Sequence, residues 1–279
     1  MPKAASGGEA AVKSATAIIQ INLALRIYDR FAIGRSLRQL LRIVLRHTIE
    51  TIPMTTLSHF DSPVSEPINS QILQLVVDHL SDISAMEIAP SNLLYSIYQY
   101  AIGFEVHLYL QALDGTKGIA VELIVATDAQ DPEKVTGFAL YLPFKDDPQA
   151  CGIAYMAELA SHRHLGVTRS MLEEVVRRYP HTELTCSVTK VAEFEAMGLQ
   201  VIGTRGPQVL MNTRDHSSDG LMAVLDVAAI YQSTEVRQIH TYLLQRNGKK
   251  AMLDAEKKRD RQIDQLTARA KAFVALAKD

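Results

Sequence analysis

A strand, a tight turn and a helix follow one another in the middle of the chain, and this pattern constrains the fold most. Residues 155–172 read YMAELASHRHLGVTRSML: the first part is mostly apolar or small, and a helical period begins at Val167. Gly166 stands between the two patterns, where glycine permits a tight turn and a close approach of the backbone to a ligand. The first N–H groups of a helix, with Arg163 and Arg169 beside them, suit a phosphate or pyrophosphate. A plain strand-to-helix turn is the alternative.

The register of this segment resembles a known cofactor-binding loop. Residues 163–172, RHLGVTRSML, resemble the R-x-x-G-x-G/A-x-x-L-L acyl-CoA loop of the GNAT superfamily of N-acyltransferases. The order downstream is similar too, with a strand over residues 183–188, a short helix over 189–197, and FEAMGL at 194–199 against the family's Y-x-x-x-G-F signature. Two short strands, 199–203 and 208–212, follow with a turn between them. The resemblance covers residues 65–213.

The resemblance implies a fold, a reaction and a set of binding residues. The fold is α/β (α+β), a GNAT-like mixed, mostly antiparallel sheet flanked by helices, with N- and C-terminal helical extensions. The reaction is transfer of an acetyl group from acetyl-CoA, the co-substrate, to an amine, and two strands, 152–160 and 183–188, diverge around the pantetheine arm. The residues that the resemblance assigns to cofactor binding are Leu159, Ala160, Arg163, His164, Leu165, Gly166, Val167, Thr168, Arg169 and Phe194.

Acyl transfer to an amine needs a base for the amine, a stabilised oxyanion and a proton for the leaving thiolate. Glu158 is the candidate base, because its mostly apolar neighbours favour a raised pKa. The family's proton-donating Tyr corresponds here to Phe194, which has no proton to give. Ser161, Ser187, Thr189 or a water are the remaining candidates for the acid. No His, Cys, Asp or Glu cluster has the spacing of metal ligands, so no metal site is expected.

Phe194 keeps a second function open: a catalytically weak or inactive protein that serves as a structural or assembly component of a larger complex, for instance a phage particle. Helical extensions would supply the contacts, and residues 11–52 and 221–278 are the expected surfaces for a homo-oligomer or larger assembly. A third interpretation, an enzyme associated with nucleic acid, depends on the basic residues within 26–46, which could also contact an anionic membrane. Packing on its own domain or on a second subunit is the alternative for that segment.

Composition divides the chain into four segments. Residues 1–53 carry eight Lys and Arg against three acidic residues, a net charge of +5, whereas the whole chain has −2. The segments expected are a basic amphipathic helical extension (1–53), a linker rich in Pro, Ser and Thr (54–67), a GNAT-like domain (68–213) and a C-terminal helical extension (214–279). The further elements expected are helices over 68–83 and 90–101, strands over 104–113, 120–126 and 135–144, a helix over 221–244, a stop at Asn247-Gly248 and a long polar helix over 249–278.

The location expected is cytoplasmic, with association to a virion as the alternative. No apolar run reaches the roughly 18–20 residues that span a bilayer, and the first residues lack the order of a signal peptide. Cys151 and Cys186 lie in expected strands, and two buried thiols in a reducing compartment are favoured over a disulfide.

Overall fold

The structure is a computed structural model that describes residues 55–278. One compact unit comprises residues 57–127 and 133–278; of a second unit, residues 55, 56 and 128–132 are described. The basic extension expected over residues 1–53, with the contact surfaces expected over 11–52 and 26–46, lies outside the described residues.

The described elements are seven strands and seven helices. The strands are β1 (Thr55–Phe60), β2 (Glu122–Asp128), β3 (Val135–Pro143), β4 (Ala150–Glu158), β5 (His181–Cys186), β6 (Gln200–Arg205) and β7 (Gln208–Asn212). The helices are α1 (Glu66–Asp78), α2 (Leu80–Ile83), α3 (Tyr95–Gln111), α4 (Val167–Arg178), α5 (Val191–Glu195), α6 (Ala228–Tyr231) and α7 (Thr234–Lys278). Short 3-10 turns occupy Ala160–His162 and Val188–Lys190.

The strands form one sheet in the order β1-β2-β3-β4-β5-β7-β6. Pairing is antiparallel between β2 and β3, β3 and β4, β5 and β7, and β6 and β7. Strands β4 and β5 pair in parallel, and their register covers only Ala150–Gly152 against His181–Glu183. The expected mixed, mostly antiparallel sheet is therefore confirmed, and the parallel pair at its centre opens after three residue pairs.

Helices cover both faces of the sheet, as the alternation of its central strands requires. Leu123, Val125 and Phe138 pack into a cluster with residues of α1 and α3. Their neighbours Ile124 and Ala139 pack on the opposite face, with residues of α4. Strand β3 is buried on both faces, so its two sets of side chains join the two helical layers to one another.

Two expected elements are wrong. Residues 104–113, expected as a strand, belong to helix α3 as far as Gln111, because the apolar positions from Ile97 through Val106 to Leu110 keep a helical period that outlasts the short alternation. Residues 55–60, expected as linker, form β1, whose Thr-rich, partly apolar sequence pairs at the sheet edge in spite of the prolines that follow it.

The C-terminal extension is built into the domain. Only residues 228–231 and those from 234 onward are helical, so the helix expected over 221–244 is interrupted, and residues 221–226 run without regular structure. Gly248 leaves the helical region with φ 81° inside α7, which matches the expected stop as a kink between two helical parts. The part before Gly248 buries Val236 and Leu243 in the cluster that contains residues of α1 and α3. The C-terminal end of α7 buries Ala270 and Val274 beside α5 and β6.

Candidate active site

The opening between β4 and β5 forms a cleft through the middle of the sheet. Tyr155 is paired with Leu140 and Ile153 with Tyr141, so Ala154 is an extra residue, a β-bulge that bends β4 where its pairing with β5 has already ended. The cleft has a volume of about 190 Å³. Its walls come from both strands and from α2, and include Ile153–Met156, Leu184–Ser187, Asp82 and Phe194.

Helix α4 begins at the turn that follows β4, and Thr168 of its first turn lines a second cavity beside the cleft. Gly166 adopts the left-handed conformation (φ 82°, ψ 12°) at the N-cap, as the sequence pattern indicates. His164 is left-handed as well, with φ 70°. The backbone N–H of Thr168 in the first turn donates a hydrogen bond to Glu158 Oε2 at 3.1 Å. A carboxylate of the chain itself therefore lies where the helix would bind an anion.

Both arginines assigned to cofactor binding are engaged in this structure. Arg163 donates to Asp82 Oδ2 at 2.5 Å and contacts His79 Nδ1 at 3.2 Å. Arg169 donates to the carbonyl oxygen of Ala196 at 3.2 Å. Arg163, unlike Arg169, lines a cavity of about 220 Å³ at the turn, which we call the loop cavity. Its charged and titratable wall residues are His79, Asp82, Glu158, Arg163, His164, Lys190 and Glu193.

The other residues of the turn differ in what they can offer. Val167 is buried in the α4 cluster, so it can reach a ligand through its backbone only. Leu165 is 43% exposed, Ala160 is exposed, and the Leu159 N–H donates to the Thr136 carbonyl at 2.8 Å. The turn thus presents backbone groups and short side chains rather than a pocket of specific ligands.

Phe194 lies between the cleft and the loop cavity and lines both of them. It is 7% exposed and packs with Leu184 and Cys186. Beside it, Ser187 Oγ and Thr189 Oγ1 are 2.7 Å apart and line the cleft. Ser161, in contrast, forms a hydrogen bond with its neighbour His162 and lines neither cavity. Of the hydroxyl groups considered from the sequence, the structure brings Ser187 and Thr189 into the cleft and leaves Ser161 outside.

A third cavity, of about 450 Å³, adjoins the cleft and shares the wall Ile153–Tyr155 with it. We call it the acceptor-side cavity. Glu105 of α3 lines it, with Tyr109, Tyr155 and Tyr231 around it. Burial raises the pKa of the Glu105 carboxyl above its ordinary value, while a hydrogen bond from the Tyr155 hydroxyl acts in the opposite direction. Glu158 lines the loop cavity and not this one.

Sequence reasoning missed Glu105, because residues 104–113 alternate like a strand. The helical period of α3 is the signal that could have found it: continued to residue 105, it places a carboxylate among apolar helix positions.

The cysteines are buried, as expected, and both are free thiols. Burial raises the pKa of the Cys151 and Cys186 thiols to about 12. Within residues 55–278 no group of three His, Cys, Asp or Glu side chains is placed to hold a metal ion. Over the same part of the chain, no helix has both the length and the apolar character needed to cross a bilayer.

No protein-family model and no curated protein matches the chain. Among solved structures, it is similar to the paia N-acetyltransferase of Thermoplasma acidophilum in complex with coenzyme A, with 10% identity over 57% of this chain and 99% of that one, at a TM-score of 0.44. A histone acetyltransferase HPA2 and related acetyltransferase from Corynebacterium glutamicum is 16% identical over 60% of this chain and 99% of its own, with a TM-score of 0.43. An acetyltransferase of the GNAT family from Staphylococcus aureus is 8% identical over 57% and 100%, with a TM-score of 0.40.

Proposed function

We propose that the chain is an N-acyltransferase of the GNAT type, which moves an acetyl group from acetyl-CoA to an amine. The observation that carries the proposal is the separation of β4 from β5 after Gly152, next to the left-handed Gly166 at the start of α4. Free strand edges suit an amide-rich ligand arm, and a helix N-terminus suits its phosphates. The cleft shares wall residues with the loop cavity on one side and with the acceptor-side cavity on the other.

Acetyl-CoA fits this arrangement by its chemistry. The phosphates would lie at the N–H groups that begin α4, with Arg163 and Lys190 in the same cavity. The pantetheine amides would pair with the backbone of β4 beyond Gly152, where pairing with β5 has ended. The carboxylate of Glu158 would repel the phosphates. Ligand binding therefore requires Glu158 to leave the Thr168 N–H.

Acetyl-CoA, when bound, supplies the acetyl group as a thioester. The neutral amine attacks the thioester carbonyl carbon with its lone pair, a C–N bond forms, the C–S bond breaks, the nitrogen loses a proton and the thiolate takes one up. We assign the base to Glu105 rather than Glu158, because Glu105 lines the acceptor-side cavity and its raised pKa suits the removal of a proton from an ammonium group. The Ser187–Thr189 hydroxyl pair in the cleft supplies the proton that Phe194 cannot give.

Calorimetric titration with acetyl-CoA tests the proposal. Gly166→Asp places a carboxylate at the phosphate position and strains a left-handed residue. Gly115→Asp is the matched control, because Gly115 has a similar φ of +71°, open space around it, and lies outside all three cavities. We expect saturable binding by the wild type and Gly115→Asp, and at least a tenfold loss in Gly166→Asp, about 1.4 kcal/mol. Equal binding by Gly166→Asp would overturn the placement, and no binding by the wild type at millimolar acetyl-CoA would overturn the function.

A further inference from the structure

The acceptor-side cavity has a negative balance of charge. Its charged wall residues are Glu105, Glu183 and Arg205, so two carboxylates face one guanidinium. Arg205 is 55% exposed at its side chain and donates to Glu183 Oε1 at 2.9 Å, which leaves Glu105 without a cationic partner among the residues of this wall. Because Glu183 is buried and Glu105 is largely buried, an additional positive charge would be attracted there more strongly than at the open surface.

Glu183 also favours a positively charged ligand with N–H donors. The residue is 3% exposed, and its Oε2 is buried with no hydrogen-bond partner, although its other oxygen is bonded to Arg205. A buried carboxylate oxygen without a donor costs free energy, which a nearby N–H donor recovers. An ammonium group carries three such donors and the required charge.

Most of the remaining wall is apolar or aromatic, and its polar residues are Ser84, Thr185 and Gln208. Tyr109, Tyr155 and Tyr231 contribute three rings, and their faces suit both a cation and an apolar body. The aliphatic residues of this wall include Ile102, Leu142, Met222, Val224, Leu225 and Val227. A ligand that fills this space therefore needs an apolar group next to its charge.

Residues 222–231, between the sheet and α7, form one side of the cavity. The Leu225 N–H donates to the Tyr109 hydroxyl at 3.1 Å, and the Lys145 N–H donates to the Leu221 carbonyl at 2.8 Å, so the segment is held to α3 and to the loop after β3. Val224 is 58% exposed although it lines the cavity, which places it at the mouth. By the same criterion Arg205 lies at the mouth, so an apolar and a basic side chain flank it, while Glu183 is buried in the wall.

From these features we propose that the acceptor is an organic monocation, a primary alkylammonium group joined to an apolar or aryl body. This inference rests on the proposed function and names the substrate class of its acceptor-side cavity. The ammonium group binds near Glu105 and Glu183, and the body lies against the tyrosines and residues 222–227. A carboxylate on the same body is repelled, and a polyamine leaves charges against the apolar wall.

Titration calorimetry with 2-phenylethylamine tests this class, first alone and then with saturating CoA present. The matched probe, 3-phenylpropionate, has the same ring and a carboxylate in place of the ammonium group, and spermidine supplies amines without an apolar body. We expect saturable binding of 2-phenylethylamine only. Equal binding of 3-phenylpropionate would overturn the charge argument, and preference for spermidine would overturn the apolar one.

Two substitutions locate the binding. Val224→Lys adds a positive charge at an exposed position, so it leaves the buried core intact, and Leu276→Lys on α7, 78% exposed, makes the same change far from this cavity in sequence. We expect Val224→Lys to lower the affinity for 2-phenylethylamine by a factor of about ten or more. Leu276→Lys should leave this affinity unchanged. Glu105→Gln should lower the affinity for the amine by a similar factor. Its control is Asp264→Asn, which neutralises an exposed carboxylate of α7. Equal affinity in Val224→Lys and Leu276→Lys would overturn the site.

The two proposals fail in different ways. If acetyl-CoA binds and 2-phenylethylamine binds neither alone nor with CoA, this substrate class is wrong and the proposed function stands. If acetyl-CoA itself does not bind, the proposed function fails, whatever the amine does.

Discussion

The backbone N–H of Thr168 donates to Glu158 Oε2 at 3.1 Å, so the side chain that ends β4 caps the helix that follows the turn. The same contact stabilises α4 and uses a donor that an anionic ligand would need there, because a carboxylate and a phosphate accept from the same groups. Ligand binding at this helix therefore competes with the cap.

Glu158→Gln should raise the affinity for CoA. Glutamine keeps the length and the acceptor oxygen of Glu158 but not the charge, and a charge at a helix N-terminus is worth about 0.3–1 kcal/mol, roughly two- to fivefold in affinity. Titration calorimetry in low salt measures the change, with Asp264→Asn as the control for net charge. A lower affinity would mean that Glu158 assists CoA binding. A large fall in kcat at unchanged affinity would mean that Glu158, and not Glu105, is the base.

Thr189→Val should slow the chemical step. The substitution keeps the side-chain shape and removes one member of the hydroxyl pair that lines the cleft, so the departing thiolate loses its proposed proton source. General acids contribute about 10²–10⁴-fold. We expect kcat to fall within that range while the affinity for CoA stays unchanged, and a thiol-release assay in single turnover measures it. An unaltered kcat would show that Thr189 is not the proton source.

Glu105→Gln should stabilise the fold at high pH. Burial raises the pKa of Glu105, so the folded chain holds this proton more tightly than the unfolded chain, and the associated stability is present in acid and lost as pH rises through the folded pKa. Glutamine, uncharged throughout, should give a Tm about 2–4 °C higher at pH 8, a difference that shrinks towards the unfolded pKa of about 4.3. Thermal unfolding from pH 4.5 to pH 8 measures it. A lower Tm at pH 8 would show that the ionised form is stabilised.

Gly152→Ala should be destabilising unless Met222 is shortened as well. A Cβ at residue 152 would lie 2.5 Å from Met222 Sδ, so the flexible methionine must move, at a cost of about 1 kcal/mol. Met222→Ala in the same chain removes the clash. Urea unfolding of both single variants and the double variant should give a favourable coupling of about 1 kcal/mol. Strict additivity would mean that Met222 does not cover Gly152 in solution.

Both cysteines should resist alkylation in the native protein. The thiolate is the reactive form, and with thiol pKa values of about 12 little of it exists at pH 8. Mass spectrometry after a brief iodoacetamide pulse should find no adduct on the native chain and two adducts after guanidinium unfolding. Rapid labelling of the native chain would show that β4 or β5 opens readily.

Local patterns predicted the centre of the domain because they are complete within a few residues. Gly166, between a strand pattern and a helix pattern, is left-handed at the start of α4, and the parallel pair β4 and β5 separates beside it. Sheet class, buried thiols and the turn at Gly206 follow from the same kind of information. The roles assigned to the residues of the turn stay predictions, as do the segment boundaries at residues 53, 67 and 213.

Features that depend on contacts between residues far apart in the chain could not be predicted from the sequence. Glu105 lies in a helix whose alternating stretch imitates a strand, and its carboxylate becomes notable only because residues distant in sequence, such as Tyr155, bury it and line the same cavity. Residues 221–226 have no period, since an irregular segment that lies on the domain is shaped by its contacts. Leu243 and Val274 form a thin stripe in sequence, but each meets a different hydrophobic cluster.

Two walls of the acceptor-side cavity come from helix α3 and from residues 222–231, with strands β2 to β7 between them in sequence. During synthesis a chain can therefore complete its cleft between β4 and β5 before the opposite wall of that cavity has left the ribosome. Helix α7 comes later still and supplies the last members of two hydrophobic clusters. A chain interrupted by premature termination after residue 213 would keep the strands and helix that we assign to acetyl-CoA, and it would lack the enclosure that we assign to the amine.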